Sequence, residues 1–123
     1  MQPARGLHQA GIGILMGAPN VVRGGSHSGN IAATDLAQAG LLDVLSSDYV
    51  PASLLSAAFM LVEKCGFSVA QAVATISANP AHCVGLADRG EIATGKRADF
   101  SRVRLVAGKP SVIAVWRGGK RVA

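Results

Sequence analysis

Ile12-Gly13-Ile14-Leu15-Met16, followed at once by Gly17-Ala18-Pro19-Asn20, is the stretch on which the fold turns. An apolar run with no polar alternation reads as a short strand of a parallel sheet covered by helices, because a half-exposed antiparallel strand would alternate. Gly17-Ala18-Pro19-Asn20 ends it. A polar, glycine-rich loop comes next, Arg23-Gly24-Gly25-Ser26-His27-Ser28-Gly29-Asn30, and then a helical stretch over 31–39 closed by Gly40. Upstream, residues 3–10 read as the end of a helix stopped by Gly11.

The unit then repeats. Leu41-Leu42-Asp43-Val44-Leu45 is a second short apolar run, Ser46-Ser47-Asp48-Tyr49-Val50-Pro51 a second loop, and 52–65 a long helical segment. Two consecutive strand-loop-helix units imply parallel pairing. Ser68 is placed to cap a helix over 69–77, and Asn79-Pro80 opens a short one through residue 84 that ends at Gly85. From Gly90 the character changes to glycines and charges alternating with β-type runs, 100–106 and 112–116, with a turn at Gly118-Gly119. The reading is an α/β portion over 1–87 and a small antiparallel β appendage over 88–123.

With 123 residues the chain can enclose one modest core, about half of what a complete barrel of eight β/α units needs. Half of the residues are apolar and 15% charged, with a mean hydropathy of +0.36, so burial is expected and disorder is not. Only five aromatics, Tyr49, Phe59, Phe67, Phe100 and Trp116, stand among fifteen glycines, which makes the core aliphatic. Nine of the twelve Lys and Arg residues lie from Arg89 onward, so the net charge of +5 is mostly C-terminal. Nothing like a recognition helix accompanies that basic stretch, and a solvated face is preferred to a nucleic-acid site. No apolar run approaches the length of a membrane span. Cys65 and Cys83 are too few for a zinc finger or a disulfide framework, and Met1-Gln2-Pro3-Ala4-Arg5 lacks the apolar core of a signal peptide, so a reducing cytoplasm is the expected setting.

Two sets of strings carry a family resemblance. Asn79-Pro80-Ala81, Gly85-Leu86, Arg89-Gly90-Glu91-Ile92 and Gly95-Lys96-Arg97-Ala98-Asp99 resemble the passage from barrel back to sandwich in the amidohydrolase superfamily. The more specific strings are Met16-Gly17-Ala18-Pro19-Asn20-Val21-Val22-Arg23-Gly24-Gly25-Ser26-His27-Ser28-Gly29-Asn30 and Leu45-Ser46-Ser47-Asp48-Tyr49-Val50-Pro51. Within the superfamily both are similar to the triphosphate diphosphatases of the carbon–phosphorus lyase pathway of phosphonate metabolism, and the likeness covers about 5–122. The resemblance implies a C-terminal fragment of a (β/α)8 metal-dependent hydrolase: the last two β/α units, and an appendage from the composite sandwich. It further implies hydrolysis of a ribose phosphonate triphosphate to the 5-phosphate and pyrophosphate.

On this resemblance Asp48 takes the place of the superfamily's last-strand aspartate, a metal ligand that accepts a proton from the hydrolytic water. Read from the residues alone, Ser47 or Asp48 before Pro51 would be a helix N-cap. Arg23, Ser26, His27, Ser28 and Asn30 are assigned to substrate phosphates, since a triphosphate favours backbone N–H groups of a glycine-rich turn, small hydroxyls and cations. Asn20, at the strand end, is a lesser candidate for the same role. The bland alternative is a surface loop in which Ser28 or Asn30 caps the next helix. His27 as a metal ligand is a weaker reading, because it has no second ligand at helical or strand spacing, and so is a His82–Cys83 metal pair, because neighbouring helical residues project about 100° apart. The structural role is preferred for Lys96, Arg97 and Asp99.

The sequence also departs from the family pattern. It contains no His-x-His pair and three histidines in all, so the superfamily's two-metal centre cannot be built from these residues. The divalent metal, zinc by expectation, then belongs to the complete enzyme, and the chain alone is expected to be inactive. Its partners are a phosphorylated small molecule and either the missing N-terminal barrel portion or a second copy, because a two-stranded sheet leaves edges and an apolar face uncovered. The competing readings are another amidohydrolase reaction, cyclic-amide hydrolysis or deamination, and a non-catalytic basic binding module.

Overall fold

The computed structural model describes residues 1–25 and 29–123. Its elements, in chain order, are α1 (Gln2–Gln9), β1 (Leu15–Gly17), α2 (Ala18–Arg23), α3 (Ala33–Gln38), β2 (Val44–Ser46), α4 (Ser53–Cys65), α5 (Val69–Ala74), α6 (Ala78–Cys83), β3 (Phe100–Val106), β4 (Lys109–Arg117) and β5 (Lys120–Arg121). The fold class is α/β. β1 and β2 pair in parallel, with Leu15 beside Val44, Met16 beside Leu45 and Gly17 beside Ser46. Strands β3, β4 and β5 form a separate antiparallel sheet in that order.

β1 starts three residues later than the apolar run. The Ile14 N–H donates to the Asp43 carboxylate at 2.7 Å, and the Ile14 carbonyl accepts from both Asp43 and Val44, so regular pairing begins only at Leu15. The cover is one-sided only at β1: Ile14 belongs to the core and Leu15 is 57% exposed, whereas in β2 Val44 and Leu45 are both buried.

Where the sequence suggested a loop from Gly17, a helix follows β1 immediately. Gly17 is extended at its N-cap, Pro19 sits in the first turn with its φ already helical, and Gly24 ends it at φ +81°. The apolar residues Ala18 and Val21 are fully buried, and α2 packs on α4. That longest helix buries Ser53, Ala57, Ala58 and Leu61, a stripe at helical spacing. Six of the thirteen residues of the core cluster are alanines, so the elements meet through small side chains with Leu36, Leu41, Leu42, Leu45 and Leu61 as filler.

The edge of β2 away from β1 is occupied. The Leu45 N–H donates to the Thr75 carbonyl at 3.0 Å, and the Asn79 side-chain amide donates to the Asp43 carbonyl at 2.8 Å. Ser68 caps α5 as the sequence suggests, in a reciprocal pair with Gln71. Among the described residues β1 has β2 as its one strand partner, and its outer edge is bare.

The appendage is a twisted hairpin with a bulge opposite Arg102 and Val103 and a Phe100–Trp116 stack at 4.8 Å. Its tight turns use Ala107-Gly108 and Gly118-Gly119, all four residues at positive φ as hairpin turns require. The Asp99 carboxylate accepts the Gly118 N–H at 2.7 Å and pairs with Arg97 at 2.9 Å, a structural use of that charged segment.

Candidate active site

Both parallel strands end on the same side, and the loops that leave them form a rim. β2 runs into a tight turn closed by the Val50 N–H donating to the Ser47 carbonyl at 3.1 Å. Asp48 lies inside this turn at φ +52°, a left-handed conformation that aspartate tolerates better than most residues and that usually needs a reason. Its side chain leans across onto the end of β1. A Cβ built on Gly17 would lie 3.1 Å from Asp48 Oδ2 and 3.5 Å from its Cβ.

The helix-cap reading of Asp48 is not what the structure shows. The N-cap of α4 is Ala52, with no side-chain cap, and the Ser53 hydroxyl donates to the Val50 carbonyl at 2.6 Å. Asp48 is exposed at the rim.

Arg23 is the last residue of α2, and its guanidinium carbon lies 5.3 Å from the centre of the Tyr49 ring. The residue after Asp48 therefore meets the residue that opens the glycine-rich loop. The two loops are joined at the C-terminal end of the sheet, where open α/β sheets present ligand sites.

Asn20 is half-buried, and its side-chain oxygen accepts the Ala33 N–H at 2.9 Å. It fastens the start of α3 to α2, doing the work of a cap from thirteen residues away. Asn30 is exposed and does not cap α3, whose N-cap is Ala32. Ser26, His27 and Ser28, assigned to phosphate from the sequence, lie outside the described residues. Two residues without an assignment in the sequence reading gain one here: Gly17, whose lack of a side chain leaves room for the Asp48 carboxylate, and Tyr49. The only signal for either was adjacency, Gly17 closing the strand and Tyr49 following the aspartate.

Among the described residues no group of three or more His, Cys, Asp or Glu could hold a metal ion. Asp48 is a single carboxylate, and the donor set around it does not make a metal centre by itself. His82 and Cys83 stand at the other end of the sheet. They line a cavity of about 610 Å³ with Gly13 and Asp43, which precede the two strands, and with Arg89 and Lys96, which are paired to Asp88 and Glu91.

The amidohydrolase family model matches residues 9–122. The α-D-ribose 1-methylphosphonate 5-triphosphate diphosphatase of Escherichia coli is 51% identical over 98% of this chain and 32% of its own length. An imidazolonepropionase of Deinococcus deserti is 33% identical over 71% of the chain and 25% of its own length. A dihydroorotase of Methanopyrus kandleri is 37% identical over 54% and 20% respectively. The chain thus spans a third or less of the length of these relatives. No solved structure matches it.

Proposed function

The chain belongs to the amidohydrolase family, and on that premise we propose that it is the C-terminal part of a (β/α)8 hydrolase that splits α-D-ribose 1-methylphosphonate 5-triphosphate into the 5-phosphate and pyrophosphate in phosphonate catabolism. The observation that carries this reading is the meeting of Arg23 with Tyr49 beside Asp48, which gathers a cation and a carboxylate on one rim. The 51% identity to the Escherichia coli diphosphatase over 98% of the chain supports it.

In this reading the two groups divide the work. Arg23 and the loop it opens take the phosphate oxygens, where a guanidinium forms charge-assisted hydrogen bonds and offsets the charge that grows as the anhydride breaks. Asp48 accepts the proton of the attacking water. The bond between the first and second phosphates then cleaves, and pyrophosphate departs. Asn30, Ser26, His27 and Ser28 add donors to the anion site, and Asn20 holds the helix behind it.

A divalent metal, zinc by this reading, belongs to the complete enzyme. Asp48 contributes one ligand to it, and the remaining ligands come from the part of the relatives that the chain does not span. The chain alone is therefore inactive. The missing portion docks along the bare edge of β1, whose first residue, Leu15, is an exposed apolar side chain.

The test combines this chain with the N-terminal two-thirds of the Escherichia coli diphosphatase and a divalent metal. Pyrophosphate release from the ribose triphosphate, with no turnover of dihydroorotate or imidazolonepropionate, is the expected result. Turnover of the cyclic amides without pyrophosphate release would replace this reading with the amidase alternative.

A further inference from the structure

Ser53 is a buried hydroxyl that packing alone does not ask for. It opens α4 on the same stripe as Ala57, Ala58 and Leu61, with 7% of its surface exposed, and an alanine there would bury no polar group and would favour the helix more. Both of its donors go to one atom. The Ser53 hydroxyl donates to the Val50 carbonyl at 2.6 Å, and the Ser53 N–H donates to the same oxygen at 2.9 Å. The Val50 N–H in turn donates to the Ser47 carbonyl at 3.1 Å, which closes the turn that holds Asp48. Asp48 stands in that turn at φ +52°, a backbone state that persists where the residues on either side hold it. On one side the hold is β2 itself, with Ser46 in register beside Gly17. On the other it is Val50, whose N–H and carbonyl are pinned to Ser47 and Ser53, while Ala52, the N-cap of α4, adds no side-chain bond. That backbone sets the direction of the Asp48 side chain, which comes so close to the end of β1 that a Cβ on Gly17 would lie 3.1 Å from its Oδ2 and 3.5 Å from its Cβ.

We propose that Ser53 is a positioning residue for Asp48: its hydroxyl fastens the turn after β2 to the start of α4 and so holds the carboxylate against the end of β1. The proposal rests on the reading of Asp48 as the proton acceptor. The serine acts through Val50 and does not itself meet the substrate.

Two measurements test this on wild type, Ser53→Ala, Ser53→Thr, Asp48→Asn and the Ser53→Ala/Asp48→Asn double variant. In the isolated 123-residue chain, NMR cross-relaxation between the Gly17 α-hydrogens and the Asp48 β-hydrogens reads the contact. In the enzyme completed with the missing barrel portion and a divalent metal, kcat for pyrophosphate release reads its use. Ser53→Ala weakens the contact and lowers kcat about three- to tenfold, the factor that one hydrogen bond carries, with KM near the wild-type value. Ser53→Thr, which keeps the donor, retains both, and in the Asp48→Asn background the alanine lowers kcat no further. Loss of the contact without loss of kcat, loss of kcat without loss of the contact, loss of neither, or a further loss in the Asp48→Asn background overturns the role of Ser53. An equal loss in Ser53→Thr does the same, since it assigns the effect to side-chain volume and not to the hydroxyl. Wild-type kcat in Asp48→Asn, or no turnover by the wild-type pair, overturns the reading of Asp48 and the proposal with it.

Discussion

Gly17 leaves room for the Asp48 carboxylate: a Cβ on the glycine would sit 3.1 Å from Oδ2, tighter than nine in ten such contacts in proteins. The end of β1 and the turn after β2 therefore fit together through an absent side chain. Gly17 has φ −71° and ψ 131°, a conformation any residue adopts, so the glycine answers to its neighbour and not to the backbone.

Gly17→Ala consequently separates activity from folding. The methyl group pushes the carboxylate aside by a few tenths of an ångström. In the enzyme completed with the missing barrel portion, pyrophosphate release falls about 10- to 100-fold, the scale on which misplacement of a reacting group acts. The urea midpoint of the isolated chain moves little. Unchanged turnover in Gly17→Ala would mean that Asp48 need not lie against β1.

Gly90 gives the opposite pattern. It has φ +97°, and an added Cβ would lie 2.8 Å from the Ala81 Cβ and 3.0 Å from both the Ala78 Cα and the Ser77 carbonyl. Backbone strain and overpacking act together, so Gly90→Ala destabilises the chain by about 2–4 kcal/mol, read from urea denaturation. A loss within experimental error would show that the segment after α6 can move away freely.

How much of this was visible in the residues differs by element. The parallel pairing, the α4 and α5 helices, the Ser68 cap and the 100–106 strand follow from apolar periodicity and punctuation, and the structure has them. The helix α2 was hidden because Gly17, Pro19 and Gly24 all read as loop residues, although Pro19 and Gly24 are the start and stop of a short helix. The bare face of β1 could not be read either, since an apolar Leu15 looks the same whether its cover is within the chain or outside it. At the rim, Asp48 and Arg23 stood out by residue type and motif. Tyr49 and Gly17 did not, because their roles are geometric relations across 26 and 31 positions of sequence, which no local pattern encodes.

The uncovered strand leads to self-association of the isolated chain. Leu15 is 57% exposed on a sheet whose β1 edge lacks a strand partner among the described residues. Sedimentation at rising concentration should show species larger than one chain, and Leu15→Lys should shift them back toward monomer. A wild-type chain that stays monomeric throughout would show that this surface does not seek a partner.

The two cysteines differ in reactivity. Burial raises the Cys65 thiol above its ordinary value, Asp35 adds to this and Lys64 opposes it, while Cys83 is exposed on the wall of the cavity. A raised value means less thiolate at Cys65 at any pH below it, and the nucleophile is the thiolate. Under native conditions near pH 8 a maleimide should therefore modify Cys83 before Cys65, as mass spectrometry of the peptides would show. Equal rates would contradict the packing of Cys65 against α3.

Asp48 as the proton acceptor is decided by kcat for pyrophosphate release by the completed enzyme. With Asp48→Asn, which keeps the shape and removes the charge, kcat should fall about 10²- to 10⁴-fold while the melting temperature of the chain stays near that of the wild type. Full turnover in Asp48→Asn would remove the aspartate from the chemistry and leave the rim without its proton acceptor.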